Sequence, residues 1–348
     1  MSHQKIDAFS LETQIPNKLL SKPELTPMRI VFMGTPEFAV PSLKILLDNG
    51  YEVVGVVTAT GKMGGRGGHH LLEPAVKKFA EEQGLKILQP PVLRDPGFFD
   101  ELRNLKADLQ VVVAFRMLPE VVWRMPTVGT FNLHGSLLPQ YRGAAPINWA
   151  VINGEQETGV TTFFIKHEID TGDVLFQEKM PIGEDETAGE VHDRMMHLGA
   201  RLVLKTVQAI ESGSYTLKSQ DPAKASKAPK IFHETCEIDF AKTTAEVHNF
   251  IRGLSPYPGA WTRIKLLDTN KKTAGKTGIE DLELKIFRSE KETERHDLPS
   301  GSMVTGSKKL LKFATIDGFV KVLELQLQGR RRMQVSDFLN GYFHLIVK

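Results

Sequence analysis

The chain has 348 residues, 41% hydrophobic and 25% charged, with 44 Lys and Arg against 42 Asp and Glu. That length suits two domains of about 100–200 residues each. No apolar run approaches the ~20 residues of a membrane span, and the one cysteine, Cys236, excludes an internal disulfide and suits a reducing, cytoplasmic setting.

Residues 1–27 mix Lys, Asp and Glu with Pro16, Pro23 and Pro27. They lack the apolar core of a secretory signal, and their acids argue against an organellar presequence. They read as a poorly ordered extension before Met28, which opens like a natural chain start.

RIVFMG (29–34) is a short apolar run ending in glycine, the pattern of a buried parallel strand. FAVPSLKILLDNG (38–50) carries apolar residues at helical spacing and ends on Gly50. YEVVGVVT (51–58) is the next strand, and a Gly-rich loop covers 59–72. PAVKKFAEEQG (74–84) is a helix, KILQP a short strand, DPGFFDELRNLK a helix, ADLQVVVAF (107–115) a strand and GTFNLH (129–134) another.

This alternation predicts an α/β domain with a doubly wound, mostly parallel, Rossmann-like sheet. GTPEFA (34–39) stands where a dinucleotide fingerprint would, but it is not G-x-G-x-x-G and no acid ends the second strand. A bound dinucleotide is therefore not expected. Ligands in such sheets bind beyond the carboxyl ends of the strands, where Asn132 and His134 lie.

Farther on, NWAVINGE reads as a helix, TGVTTFFI (158–165) and GDVLFQEKMPI (172–182) as strands, and residues 187–213 as a long amphipathic helix. KSQDPAKASKAPK (218–230) is polar, Pro-containing and basic, the best linker in the chain. The remainder mixes a helix at about 243–254 with strands such as LELKIF, FATIDGFVKVLELQLQ and a closing GYFHLIVK, which suggests a smaller C-terminal β-barrel, OB-like. The predicted divisions are 1–27, a catalytic domain over 28–217, a linker over 218–232 and the barrel over 233–348. Residues 1–217 hold 21 Lys and Arg against 26 Asp and Glu, a net of −5, while the rest hold 23 against 16, a net of +7. A basic C-terminal part favours a polyanionic partner.

A histidine near a strand end is commonly structural. Here Asn132 shares its strand face, since residues two apart point the same way. The following loop is stiffened by Pro139, Gly143 and Pro146, which suits a wall around a flat ligand, and KHEIDTGDV (166–174) offers a carboxylate from Asp170 or Asp173. An amide, an imidazole and a carboxylate support acyl transfer without a nucleophilic residue: two groups stabilise an oxyanion and one accepts a proton. His69, His70, His192 and His197 form no convincing ligand pattern, and a solvated or helix-surface role suits each.

FNLHGSLLPQYRGAAPINWAVINGE, followed by ETGVT and EIDTGDVL, resembles the folate-dependent formyltransferases. The resemblance runs from about Met28 to the end, is strongest over 130–190, and within the family points to the branch acting on methionyl-tRNA. It implies 10-formyltetrahydrofolate as donor, the amino group of initiator methionyl-tRNA as acceptor, no metal, no membrane and a monomer. It assigns Asn132, His134 and Asp170 to catalysis. Ser136, Leu137, Leu138 and Pro139 match the folate-contacting loop, and Phe115, Met117 and Leu118 the pterin wall. Arg66, in Gly65-Arg66-Gly67, matches a basic residue that enters the tRNA acceptor stem, with Lys62 and Arg142 as further tRNA contacts. The flanks depart from the family pattern: Lys62-Met63-Gly64 precedes and His69-His70 follows. Other users of the same donor are the rivals: glycinamide-ribonucleotide formyltransferases, usually lacking a second domain, and amino-sugar formyltransferases. Outside enzymes, the rival is an inactive RNA- or folate-binding module.

Overall fold

The computed structural model describes residues 27–64, 70–273, 276–307 and 309–347. The expected extension, apart from Pro27, and Arg66 lie outside the described residues.

Alternation within Arg29–Gly34 organises the first domain. Ile30 and Phe32 enter one apolar cluster and Val31 and Met33 another, on opposite faces of the strand. A strand buried on both faces must be apolar throughout, which is why RIVFMG shows no polar alternation. Around it lies a seven-stranded sheet in the order Val174–Pro181, Glu157–Phe164, Gly129–His134, Leu109–Val113, Arg29–Gly34, Glu52–Val57, Ile87–Leu88. The last five are mutually parallel and the first two run antiparallel at one edge.

The helices Val40–Asp48 and Ala188–Glu211 cover the face holding Ile30 and Phe32; Pro96–Asn104 and Glu120–Trp123 cover the other. The 24-residue helix begins with Thr187 and Glu190 in a reciprocal capping box that satisfies two otherwise orphaned backbone donors.

The second domain is a curled, wholly antiparallel sheet in the order Ala260–Thr273, Lys276–Glu292, Phe319–Leu327, Leu310–Ala314, Met303–Ser307. It closes over a separate core that includes Trp261, Leu284, Phe313, Leu325 and Phe338, joined by Val247 and Ile251 from the helix Thr244–Gly253. Among the described residues, the two outer strands share no ladder, so the barrel is open at that seam.

Four local expectations change. The Gly-rich loop holds two short antiparallel arms, Lys62–Gly64 and His70–Leu72. FATIDGFVKVLELQLQ is a hairpin rather than one strand, because Thr315 N–H bonds the Gly318 carbonyl and turns the chain at Asp317. The predicted closing strand instead begins with the last two residues of a helix, Val335–Tyr342, and continues as a 3₁₀ turn over Phe343–Leu345 before Ile346 bridges Leu266. Val335, Phe338, Leu339 and Tyr342 recur at helical spacing, with Phe338 and Leu339 fully buried.

The fourth change concerns 218–230, which is a strap rather than a free linker. Lys227–Ala228 pairs in parallel with Arg142–Gly143, Ser226 Oγ accepts from Tyr141 N–H at 2.8 Å, and the Pro229 carbonyl accepts from Trp149 Nε1 at 2.8 Å. Gly143 has φ +127°, and a Cβ there would meet the Ala228 carbonyl at 2.5 Å, so this close approach needs glycine.

Candidate active site

A cleft of about 990 Å³ opens at the carboxyl ends of Leu109–Val113 and Gly129–His134, the usual place for a ligand in an open α/β sheet. Phe131 and Leu133 turn into the main core, leaving Asn132 and His134 on the opposite side of the strand, where both line the cleft. Val112, Phe115, Leu118, Trp123, Phe163 and Ile165 supply apolar walls. Low polarity with a few convergent polar groups is what a small-molecule site requires.

His134 is 6% exposed. Its Nε2 lies 2.8 Å from the Tyr141 carbonyl, which fixes Nε2 as a donor because a carbonyl only accepts. Nδ1 then faces Asp170 Oδ2 at 3.8 Å, too far for a direct hydrogen bond. The Asp170 carboxylate is held from behind by Gly143 N–H at 2.8 Å. Asp170 takes φ +55° and Tyr141 φ +58°, left-handed backbone that costs a non-glycine residue roughly 1–2 kcal/mol.

Tyr141 is anchored at both ends. Its hydroxyl donates to Glu155 Oε1 at 2.6 Å and accepts from Asn153 Nδ2 at 3.1 Å. Burial, reinforced by the hydrogen bond to Glu155, pushes the phenol up to about 12, so it stays protonated and keeps donating at neutral pH. That anchoring offsets the left-handed backbone and holds the carbonyl against His134.

The two carboxylates differ in their surroundings. Asp173 pairs with Lys166 at 2.7 Å and accepts from Ser219 Oγ at 3.3 Å, whereas Asp170 lines the cleft beside His134. The Asn132 amide is half-buried and has no hydrogen-bond partner among the described residues, although Asn132 lines the cleft.

Phe115, Met117 and Leu118 also line the cleft, with Met117 74% exposed at the rim. Ser136, Leu137, Leu138 and Pro139 are not among the lining residues. Ser136 and Leu138 are buried. Ser136 Oγ donates to the Gln140 carbonyl at 2.6 Å, its carbonyl accepts from Thr161 Oγ1 at 2.7 Å, and Thr161 Oγ1 accepts from Leu138 N–H at 3.1 Å. This turn supports the loop that carries Tyr141 and Gly143.

Lys62 opens the first hairpin arm, Lys62–Gly64. Arg142 is half-buried, with Nε and Nη2 donating to Gln220 Oε1 at 3.1 and 2.6 Å; its guanidinium is committed within the protein. Sequence reasoning missed Arg94, Ile147 and Asn148, which line the cleft, and gave His192 a solvated or helix-surface role. His192 instead packs its ring 5.2 Å from Phe38 at the cleft wall. The amphipathic pattern of its helix carried no sign of this, because His192 faces the strand ends rather than the core. Among the described residues, no group of three or more His, Cys, Asp or Glu is placed to hold a metal ion, and no helix is long and apolar enough to cross a membrane.

Residues 28–207 match the family described as Formyl transferase, and residues 230–343 match Formyl transferase, C-terminal domain. The chain is 51% identical over 320 residues to the methionyl-tRNA formyltransferase of Parabacteroides distasonis, covering 90% of this chain and 96% of that one. It is 53% identical over 322 residues to that of Bacteroides fragilis, covering 91% and 96%. Among solved structures it resembles WlaRD, a sugar 3N-formyl transferase, with a TM-score of 0.61 and 21% identity over 88% of this chain and 100% of that chain. It also resembles HypX from Aquifex aeolicus in complex with tetrahydrofolic acid, with a TM-score of 0.58 and 18% identity over 90% of this chain and 47% of that one. At these identities the solved structures speak for the fold alone.

Proposed function

The chain belongs to the formyl transferase family, and from that premise we propose that it transfers the formyl group of 10-formyltetrahydrofolate to the α-amino group of initiator methionyl-tRNA, for translation initiation. The observation that carries the chemistry is the convergence of Asn132, His134 and Asp170 on one apolar cleft.

The cleft residues suit the donor. A flat ring system fits between the apolar side chains of Phe115, Leu118, Trp123 and Phe163, and the polar groups converge on one part of the lining. When bound, the folate supplies the activated formyl carbon. The Asn132 amide is free to donate to the formyl oxygen as negative charge grows there. His134, once protonated, keeps Nε2–H on Tyr141 and presents Nδ1–H to the same oxygen. Donors prearranged in a water-poor site are worth far more than in bulk water. Asp170, 3.8 Å from Nδ1, takes the proton that the attacking amine loses, directly or through a water, as the bond from the formyl carbon to N10 breaks and tetrahydrofolate leaves.

Leu118 and Phe115 form the folate wall in this reading, and the 136–139 turn acts one layer behind it. Residues 28–217 with the strap carry the chemistry, and the basic 233–348 portion, with Arg66 and Lys62 of the hairpin loop, takes the tRNA. We place the enzyme in the cytoplasm as a monomer. The test is formyl transfer to methionyl-tRNA measured beside free methionine and a UDP-amino-sugar. Turnover confined to the tRNA supports the reading, and preferential formylation of the amino-sugar overturns it.

A further inference from the structure

Gln220 sits in the strap, outside the cleft lining, yet every hydrogen-bonding position of its amide is used. Nε2 donates to the carbonyl oxygens of Asp170 and Gly172, both at 2.8 Å. Oε1 accepts both Arg142 bonds, at 3.1 and 2.6 Å. A primary amide offers two donors and two acceptor lone pairs, so this one is saturated and its orientation is fixed. Reversed, its oxygen would face two carbonyls and its nitrogen a guanidinium.

These bonds close a ring around Asp170. The backbone carbonyl of Asp170 is held by Gln220, Gln220 by the Arg142 guanidinium, and the Asp170 carboxylate by the N–H of Gly143, the residue after Arg142. On its far side the turn is pressed onto the sheet: a Cβ at Gly172 would collide with the Phe164 carbonyl. Asp170 holds a left-handed backbone, φ +55°, of a kind that persists only where the surroundings over-determine it. Gln220 supplies that constraint from a segment that leads directly into the second domain.

We propose that Gln220 is a positioning residue for Asp170. It clamps the 170–172 turn so that the carboxylate stays beside His134, and Arg142 serves to aim Gln220 rather than to grip nucleic acid. The inference rests on the reading of Asp170 as the proton acceptor.

Gln220→Glu tests it. The change is nearly isosteric and leaves Arg142 an acceptor, but it sets an oxygen against the two carbonyls. The expected result is a kcat at least tenfold lower, with KM for methionyl-tRNA and Kd for 10-formyltetrahydrofolate within twofold of wild type. In an Asp170→Asn background the same change should cost less than twofold further, because the alignment it disturbs no longer matters; a merely structural defect would multiply through. Should Gln220→Glu not fold, Arg142→Met releases the amide without adding charge, and is expected to show the same split and the same non-additivity with at least a threefold loss. A normal kcat in the folded variant while Asp170→Asn is severely impaired overturns the positioning role alone, as do losses that multiply in the Asp170→Asn background. Wild-type turnover by Asp170→Asn overturns the parent reading and this proposal with it.

Discussion

His134 Nδ1 and Asp170 Oδ2 face each other at 3.8 Å, each braced by a backbone group of one short loop: the Tyr141 carbonyl takes Nε2–H and Gly143 N–H takes the carboxylate. The pair is aligned without a direct hydrogen bond, so both groups stay available to a substrate atom lying beside them in the cleft. His134→Ala should fold, since the imidazole contributes one hydrogen bond to a loop with several other anchors. Its kcat should fall by about 10²–10³, the usual cost of a lost oxyanion donor. Turnover at saturating substrates, with circular dichroism as the control for folding, checks it; near wild-type kcat would remove His134 from the chemistry.

Asn132 allows a sharper comparison. Its amide has no partner to lose among the described residues, so Asn132→Ala should leave stability nearly unchanged while cutting single-turnover formyl transfer by about 10²-fold. Asn132→Asp should be worse, because a carboxylate would confront the developing negative charge. An aspartate variant faster than the alanine variant would contradict a donor role.

Periodicity made the first domain largely legible, because a strand buried on both faces and a helix with one apolar stripe leave different patterns. RIVFMG and GTFNLH became sheet strands over their full length, and ADLQVVVAF did so over Leu109–Val113. The candidate site was legible for a local reason: Asn132 and His134 are two residues apart on one strand end, and both line the cleft. Gln220 was not, because its role depends on pairing across the fold with Asp170, 50 residues away, and a polar, Pro-containing segment looks the same whether solvated or strapped down. The end of the chain misled because Gly341 and Phe343 beside Leu345 and Val347 imitate a strand, while the helical signal began earlier, at Val335.

The strap changes where the chain can be divided. A fragment ending at Ser219 loses Gln220, Ser226 and Ala228, the partners of Asp170, Tyr141 and Gly143–Ala145. One ending at Lys230 keeps them all. The longer fragment should bind 10-formyltetrahydrofolate nearly as well as the full chain, and the shorter should bind it at least tenfold more weakly or aggregate. Both should lose tRNA affinity and salt dependence, since fewer phosphates are neutralised. Equal folate affinity in the two fragments, by fluorescence titration, would show that the strap is dispensable.

The two arginines assigned to tRNA should separate kinetically. Arg66→Ala removes a fork that suits phosphates or base edges. At roughly 1.5–3 kcal/mol for a charged hydrogen bond, kcat/KM for methionyl-tRNA should fall about ten- to a hundredfold with folate binding unchanged. Arg142, already committed to Gln220, should leave the salt slope of tRNA binding intact when replaced by Met. Measuring binding across a salt series for both variants decides between them; a shallower slope for Arg142→Met would return it to the tRNA interface.

His248 links acid stability to the domain junction. It lies on the helix Thr244–Gly253, 2% exposed, with Nδ1 3.0 Å from Ser289 Oγ and Nε2 3.1 Å from Asp185 Oδ1, without the alignment of a hydrogen bond. Burial lowers its pKa below the ordinary histidine value; Lys291 and Arg252 push the same way and Asp185 opposes them. The same junction is tied by Arg252 Nη1 donating to the Glu186 carbonyl at 2.9 Å and by Lys291 pairing with Glu184 at 2.6 Å. In the unfolded chain the histidine titrates near 6.5. Between that value and its lower folded one, the unfolded state binds a proton that the folded state refuses, so stability must fall as pH falls. The limiting slope is about 1.4 kcal/mol per pH unit for one proton. The carboxylates with lowered pKa values, Glu73, Glu184, Glu190, Glu246, Glu294 and Asp317, act in a separate window, since their contribution is lost as pH falls through and below the ordinary carboxylate range of about 4. Urea unfolding at pH 7.5 and pH 5.5 should therefore show a loss for the wild type that is markedly smaller in His248→Gln, which carries no titrating group there. Equal losses in the two proteins would mean that the acid sensitivity above pH 5 arises elsewhere.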